Sequence, residues 1–162
     1  MNKSYKPLAS DIIITKIGVY IMYKKILLPT DGSGYAEQEV DRVTKLIADD
    51  GEIIIISVAG KFVSGAFQGR SRVKKANERM KKEAEDAVKN MSKLFDDSLK
   101  VKTMVKIGIP SEEINKVAAE EEADLIVISA SGKSGLHKFL IGSVAEKVLK
   151  TAEIDVLLVH NS

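Results

Sequence analysis

Two stretches of this chain place small residues, hydroxyls and glycines directly after short apolar runs, where backbone N–H groups and short side chains can receive an anion. The first is Pro29-Thr30-Asp31-Gly32-Ser33, which follows Ile26-Leu27-Leu28. The second is Ser129-Ala130-Ser131-Gly132-Lys133-Ser134-Gly135, which follows Leu125-Ile126-Val127-Ile128. Further on, Ile141-Gly142-Ser143-Val144 opens a segment of helical periodicity, and the unpaired N–H groups and positive dipole end of a helix start can hold a phosphate. Ser131, Ser134 and Ser143 add hydroxyl donors, while Lys133 or Lys138 can neutralise part of a polyphosphate charge. Each piece also has a plain structural use, since small residues make tight strand-to-loop turns and Gly142-Ser143 suits an ordinary N-cap. The phosphate reading rests on their convergence.

Other chemistries lack their residues. With 0 cysteines, thiol catalysis, iron–sulfur clusters and zinc–cysteine sites are excluded. The 2 histidines, His137 and His160, stand on different elements without ligand spacing, so no catalytic triad and no metal site is assigned. Gly132-Lys133-Ser134 resembles the end of a P-loop, but that motif needs a glycine where Val127 stands. The dinucleotide fingerprint fails too, because Pro29 to Gly34 holds two glycines and a proline in place of three spaced glycines. The basic stretch Arg70 to Lys82 has no interleaved aromatics, and Glu83, Glu85 and Asp86 follow at once. It reads as a solvated helix face, and with a net charge of +2 no nucleic-acid partner is expected.

The elements that must position these loops are legible from periodicity. Five β-rich runs, Ile26 to Leu28, Ile53 to Val58, Val101 to Ile107, Leu125 to Ile128 and Val156 to Val159, alternate with helical stretches. Several of the runs are apolar throughout, as strands buried on both faces must be. Ala36, Val40, Val43 and Ile47 share one helical face, and Asp49-Asp50-Gly51 ends that helix. A longer helix carries Val73, Ala76, Met80, Ala84, Ala87, Met91 and Leu94, after an irregular segment from Ala59 to Ser71. A third follows Pro110 with Ser111 as N-cap and buries Ile114, Val117 and Ala118; a fourth begins near Ser143 and presents Val144, Ala145, Val148 and Leu149. Right-handed crossovers then give an α/β fold: an open, doubly wound, five-stranded parallel sheet of order 3-2-1-4-5 with helices on both faces, Rossmann-like in plan. In that order the crevice at the reversal of winding lies between strands one and four, where the two stretches meet.

At 162 residues the chain is one domain, large enough to bury roughly two-thirds of its unfolded surface without disulfides or a structural metal. Residues 1–21 read as an N-terminal extension and 22–162 as the domain. The apolar run Ile12 to Ile21 is interrupted by Lys16 and falls short of the ~20 residues that span a bilayer, so no membrane association is expected. It also lacks a signal-peptide cleavage site.

These residues resemble the universal stress protein family, in the branch with a nucleotide-binding glycine motif. The likeness runs from about Tyr23 to Asn161. It is carried by Leu28-Pro29-Thr30-Asp31-Gly32-Ser33, by Gly132 and Gly142-Ser143 with nine residues between them, by Ile107-Gly108-Ile109-Pro110-Ser111-Glu112-Glu113-Ile114 and by Val156 to Val159. The first glycine of the motif is Ser129 here. At positive φ a serine would cost on the order of 1 kcal/mol relative to glycine; at negative φ its hydroxyl is harmless and can donate. The resemblance implies that Pro29, Thr30 and Asp31 meet the adenine and ribose, with Val58 lining the base pocket. It implies that Ser129, Ser131, Gly132 and Lys133 border ribose and phosphates, and that Gly142, Ser143 and Val144 bind phosphates at the helix start. The implied ligand is ATP, or AMP or ADP, accompanied by Mg²⁺, acting as a regulatory ligand in a cytoplasmic stress response. No general base stands by the phosphates, so at most slow hydrolysis is expected. The apolar last strand, Val156-Leu157-Leu158-Val159, is expected at a sheet edge and implies a homodimer joined there. A dimeric interaction module of the same fold without nucleotide is the alternative.

Overall fold

The computed structural model describes residues 10–15, 18–33, 36–60, 70–130 and 141–160, with side chains from Met22 onward except at positions 36, 37 and 70. The elements run β1 (Ser10–Thr15), β2 (Gly18–Pro29), α1 (Ala36–Leu46), β3 (Ile47–Ala59), α2 (Arg70–Ser92), β4 (Lys100–Ile107), α3 (Pro110–Glu120), β5 (Leu125–Ser129), α4 (Ser143–Thr151) and β6 (Asp155–Val159). Five strands pair in parallel in the order β4-β3-β2-β5-β6, which is the expected doubly wound order. Strand β1 pairs antiparallel with the first part of β2, from Ser10 opposite Tyr23 to Thr15 opposite Gly18. The sequence reading places no strand before Tyr23; residues of the extension in fact lengthen the central strand.

Alternation along the strands divides the core between two helix layers. Leu28, Ile53, Ile55 and Val127 pack with Val40 and Val43 of α1 and Val88 and Met91 of α2. Leu27, Ile54, Ile56 and Ile126 pack on the opposite face with Ile114 and Val117 of α3 and Ala145 and Val148 of α4. Because both faces are covered, successive residues of Ile26 to Leu28, Ile53 to Ile56 and Leu125 to Ile128 are all apolar.

The structure corrects four local readings. Helix α1 stops at Leu46, ahead of Asp49-Asp50-Gly51: Ile47 joins the sheet opposite Tyr23, and the register then jumps to Lys25 opposite Glu52, leaving Ala48 to Gly51 as a bulge. Gly51 suits the crowding there, since an added Cβ would lie 2.7 Å from Ile47 Cδ1 and 2.9 Å from the Ala48 carbonyl oxygen. Ala59 belongs to β3 and Arg70 and Ser71 to α2, so both ends of the expected irregular segment lie in regular elements; residues 61–69 lie outside the described residues. Leu94 falls beyond the end of α2 and is exposed, while Val88 and Phe95 take buried places. Ser111 is not a cap: the N-cap is Ile109, and Pro110, with no N–H to satisfy and its φ preset, takes the first helical position and draws Ser111 into the buried first turn. Helix α4 begins at Ser143 as expected and buries Ala145 and Val148, with Leu149 on its exposed side. Among the described residues no helix is long and apolar enough to cross a membrane.

Candidate functional site

The site follows from a divergence in the sheet. Strand β2 stays paired with β3 as far as Pro29 opposite Ile56, and β5 stays paired with β6 as far as Ser129 opposite Val159. Between β2 and β5, however, the ladder consists of Ile26 opposite Leu125 and Leu27 opposite Ile126. Beyond those rungs the strands part, and a cavity of about 330 Å³ lies between their carboxyl ends, as the doubly wound topology requires.

Local hydrogen bonds shape its rim. Thr30 N–H donates to the Ile56 carbonyl at 2.8 Å, which keeps the chain on β3 as it leaves β2. The Thr30 hydroxyl accepts from Gly32 N–H at 3.2 Å, and Asp31 Oδ1 accepts from Ser33 N–H at 2.9 Å, so both side chains fold the loop onto itself. Gly32 has φ +75°, and a Cβ there would stand 3.2 Å from the Ala87 Cβ, so backbone conformation and close packing both call for glycine. On the other side Ala130 N–H donates to the Val159 carbonyl at 2.8 Å, and Gly142 N–H returns to the Ala130 carbonyl at 2.7 Å. That last bond sets the start of α4 against the end of β5. Gly142 is the N-cap, with φ −63°, and offers no side chain as a cap, so the N–H groups of Ser143, Val144 and Ala145 have no acceptor within the helix. All three residues line the cavity.

The lining brings together eight of the residues singled out from the sequence: Pro29, Thr30, Asp31, Val58, Ser129, Gly142, Ser143 and Val144. Ile56, Ile128 and Ala145 add apolar wall. Ser131, Gly132 and Lys133, with Ser134, His137 and Lys138, lie outside the described residues. Ser129 ends β5 and is not at positive φ; among the described residues Glu122 is the one non-glycine that is. The left-handed strain considered for serine at that position is therefore absent. Asp31 and Val58 also border a smaller hollow of about 160 Å³, with Met80 and Glu83 of α2 on its side.

One lining residue escapes a reading of the loops. Glu39, in the first turns of α1, is 4% exposed and reaches the cavity from the α1 face of the sheet. Ser129 N–H, past the last rung between β2 and β5, donates to its carboxyl group, while Oε1 is shut off from solvent with no hydrogen-bond partner. Burial, followed by the nearby Asp31 carboxylate, pushes the Glu39 carboxyl up to about 8, and the bond from Ser129 opposes this in part. The sequence signal was available: position 39 is three residues after Ala36 and four before Val43, on the apolar stripe, where a carboxylate has no place unless it serves the interior.

The basic face of α2 behaves as expected of a solvated surface. Lys74, Arg79 and Lys81 each pair with an acidic residue one turn on, namely Glu78, Glu83 and Glu85. Among the described residues no group of three or more His, Cys, Asp or Glu side chains is placed to hold a metal ion.

The chain is similar to known proteins over most of its length. Universal stress protein MJ0531 of Methanocaldococcus jannaschii is 35% identical over 142 residues, covering 85% of this chain and 82% of the relative. Universal stress protein MJ0577 of the same organism is 34% identical over 155 residues, covering 86% and 96%. The solved structure of MJ0577 superimposes with a TM-score of 0.71 over 87% of this chain and 98% of its own. A universal stress protein solved in complex with cAMP is 25% identical, with a TM-score of 0.53 over 87% and 99%. The model of the universal stress protein family matches residues 22–160, and with that match spanning the whole parallel sheet the chain belongs to the universal stress protein family.

Proposed function

We propose that this protein binds an adenine nucleotide, ATP or alternatively AMP or ADP, in the cavity between the ends of β2 and β5, and that the nucleotide acts as a regulatory ligand in a cytoplasmic stress response. The observation that carries this reading is the convergence of Pro29, Thr30, Asp31, Val58, Ser129 and the uncapped start of α4 on one cavity of about 330 Å³. That size falls within the range of small-molecule sites. A relative solved with cAMP supports the nucleotide class. In this reading Ile56, Val58 and Ile128 cover the base, Thr30 and Asp31 orient the nucleoside, and the N–H groups of Ser143, Val144 and Ala145 receive a phosphate. Ser131, Gly132 and Lys133 complete the ribose and phosphate side. Mg²⁺ accompanies the nucleotide, where it offsets phosphate charge and keeps much of its own water.

The domain in this reading is residues 22–162, with 1–21 an extension. Two copies join through β6, whose Val156, Leu157 and Leu158 remain half-buried at the end of the sheet order. Leu158→Asp is expected to elute as a monomer on sizing chromatography, and an unchanged dimer would exclude that interface.

The direct test is to load purified protein with Mg²⁺-ATP, remove free ligand, denature the protein and quantify adenine nucleotide per chain. About one per chain is expected, falling at least tenfold in Gly142→Val, whose Cβ fits beside the Ala130 carbonyl oxygen at 3.4 Å but whose branched side chain would compete with a phosphate for the start of α4. No retained nucleotide after loading, together with no binding at equilibrium, would favour an interaction module of the same fold.

A further inference from the structure

The nucleotide reading leaves Glu39 unused, although it is the most costly group in the cavity wall. A carboxyl that is 4% exposed needs a partner for each oxygen, and here one accepts from Ser129 N–H while Oε1 has none. It is also not placed to neutralise a cation: among the described lining residues there is no Lys, Arg or His, and Asp31 is the one other ionisable group. From β2 it therefore faces a carboxylate, from β5 the Ser129 N–H, and from β3 and the start of α4 no charged side chain.

Resting on the nucleotide reading, we infer that Glu39 is a specificity-determining residue of this cavity: as the ligand enters, its carboxyl turns Oε1, which solvent does not reach in this structure, toward the cavity and donates a hydrogen bond to an acceptor atom on the uncharged nucleoside part of the ligand. Three features argue for the donor role. Burial and the Asp31 charge keep the proton on Glu39 up to about pH 8. The Ser129 N–H occupies the opposite oxygen, so the carboxyl is held with its remaining oxygen turned away from that bond. The anion-binding start of α4 belongs to the helix layer on the other face of the sheet, so a ligand spanning the crevice has its phosphate there and an uncharged group by Glu39. A phosphate beside Glu39 would meet the like charge of Asp31.

The test compares dissociation constants for Mg²⁺-ATP in the wild-type chain and in Glu39→Gln, whose amide keeps the donor and cannot ionise. Ionisation of the ligand affects both proteins alike and cancels in the ratio. Between pH 7 and pH 9 the wild-type affinity is expected to fall about tenfold relative to Glu39→Gln, because the donor is lost as the carboxyl ionises near about 8. In the wild-type protein the ¹³C resonance of the Glu39 carboxyl should also titrate at higher pH with adenosine bound than without it. That second readout needs no variant, and an uncharged ligand adds no phosphate repulsion that would raise the carboxyl without a hydrogen bond. A flat ratio with an unmoved titration overturns the inference and leaves nucleotide binding intact. A ratio moving in the opposite direction overturns it in favour of a carboxylate accepting from the ligand. If Mg²⁺-ATP binds neither protein at either pH, the nucleotide reading itself fails and the inference falls with it.

Discussion

The two ends of the parallel sheet each bury a carboxyl group, and they treat it in opposite ways. At the amino end of β5, Asp124 is 8% exposed, and its Oδ2 accepts from the backbone N–H groups of Lys24 at 3.1 Å and Lys25 at 2.8 Å. Its own N–H donates to the Lys25 carbonyl at 2.8 Å, so the residue ties β5 to β2 on both sides of its peptide. At the carboxyl end Glu39 is as deeply buried but has one oxygen unmet and a carboxylate for a neighbour. The amino end spends its carboxyl on holding strands together. The carboxyl end leaves a polar group unsatisfied inside, which a fold tolerates only at a cost of roughly 1–3 kcal/mol. A buried carboxyl group is thus a stability device at one end and a site feature at the other.

Removing the ionisable group at the carboxyl end gives the largest expected effect. The Glu39 carboxyl titrates near 4.5 in the unfolded chain and near about 8 in the folded one. Between those values the folded protein retains a proton that the unfolded chain has released, so this group's contribution is most favourable below pH 4.5 and falls by about 1.4 kcal/mol per pH unit until about 8. Glu39→Gln should remove that slope and leave the protein more stable than wild type at pH 8, by on the order of 3 kcal/mol in urea unfolding. A less stable variant at that pH would break the contrast.

Asp124→Ala should act in the opposite sense, losing about 2 kcal/mol because the Lys24 and Lys25 N–H groups lose their acceptor, with ligand binding unchanged. Equal stability would mean that water replaces the carboxylate and that the amino end is no tighter than the carboxyl end. The smallest effect concerns the turn leading into Asp124. There α3 ends with Ala123 N–H on the Ala118 carbonyl at 2.9 Å and Glu122 N–H on the Ala119 carbonyl at 3.2 Å, a Schellman closure that puts Glu122 at φ 54°. Glu122→Gly should therefore stabilise the protein by about 0.5 kcal/mol, read as a small rise in the urea midpoint at constant m. It would show that the amino end carries some strain of its own.

The layers of the fold were legible in the sequence because strand and helix patterns there have single causes. Ile26-Leu27-Leu28 and Ile53 to Ile56 are apolar on every residue since both faces are covered, and the small residues after Leu28 and Ile128 mark the ends where the strands part. What was not legible depended on contacts made by one residue with a distant one. Ile47 satisfies a helix stripe equally well as the first residue of β3, and only its pairing with Tyr23 decides between them. Ser111 is a good cap by type, but Pro110 claims the start of the helix. Leu94 and Phe95 compete for one buried place just beyond α2, and the turn after Ser92 decides in favour of Phe95. In the site, the loops declared themselves by composition, whereas Glu39 was hidden among the charges of an amphipathic helix. Its position on the stripe was informative, but its meaning depended on where β2 and β5 separate.

That separation also bears on how the molecule opens. In order along the chain, β2, β3 and β4 form one run of neighbouring strands and β5 and β6 another, joined by two rungs, Ile26 to Leu125 and Leu27 to Ile126, beside the bonds of Asp124. Eight rungs hold β3 to β4. Sub-global unfolding should therefore part the sheet along this seam before it disrupts either half, and amide hydrogen exchange at the rung residues Leu27 and Ile126 should report it. A ligand seated in the crevice touches both halves, so it acts as a clasp across the weakest line of the sheet. Exchange at those amides should slow on binding by a factor set by ligand concentration over its dissociation constant, while the centre of the β3–β4 ladder, already governed by global unfolding, gains protection only to the extent that the whole molecule does.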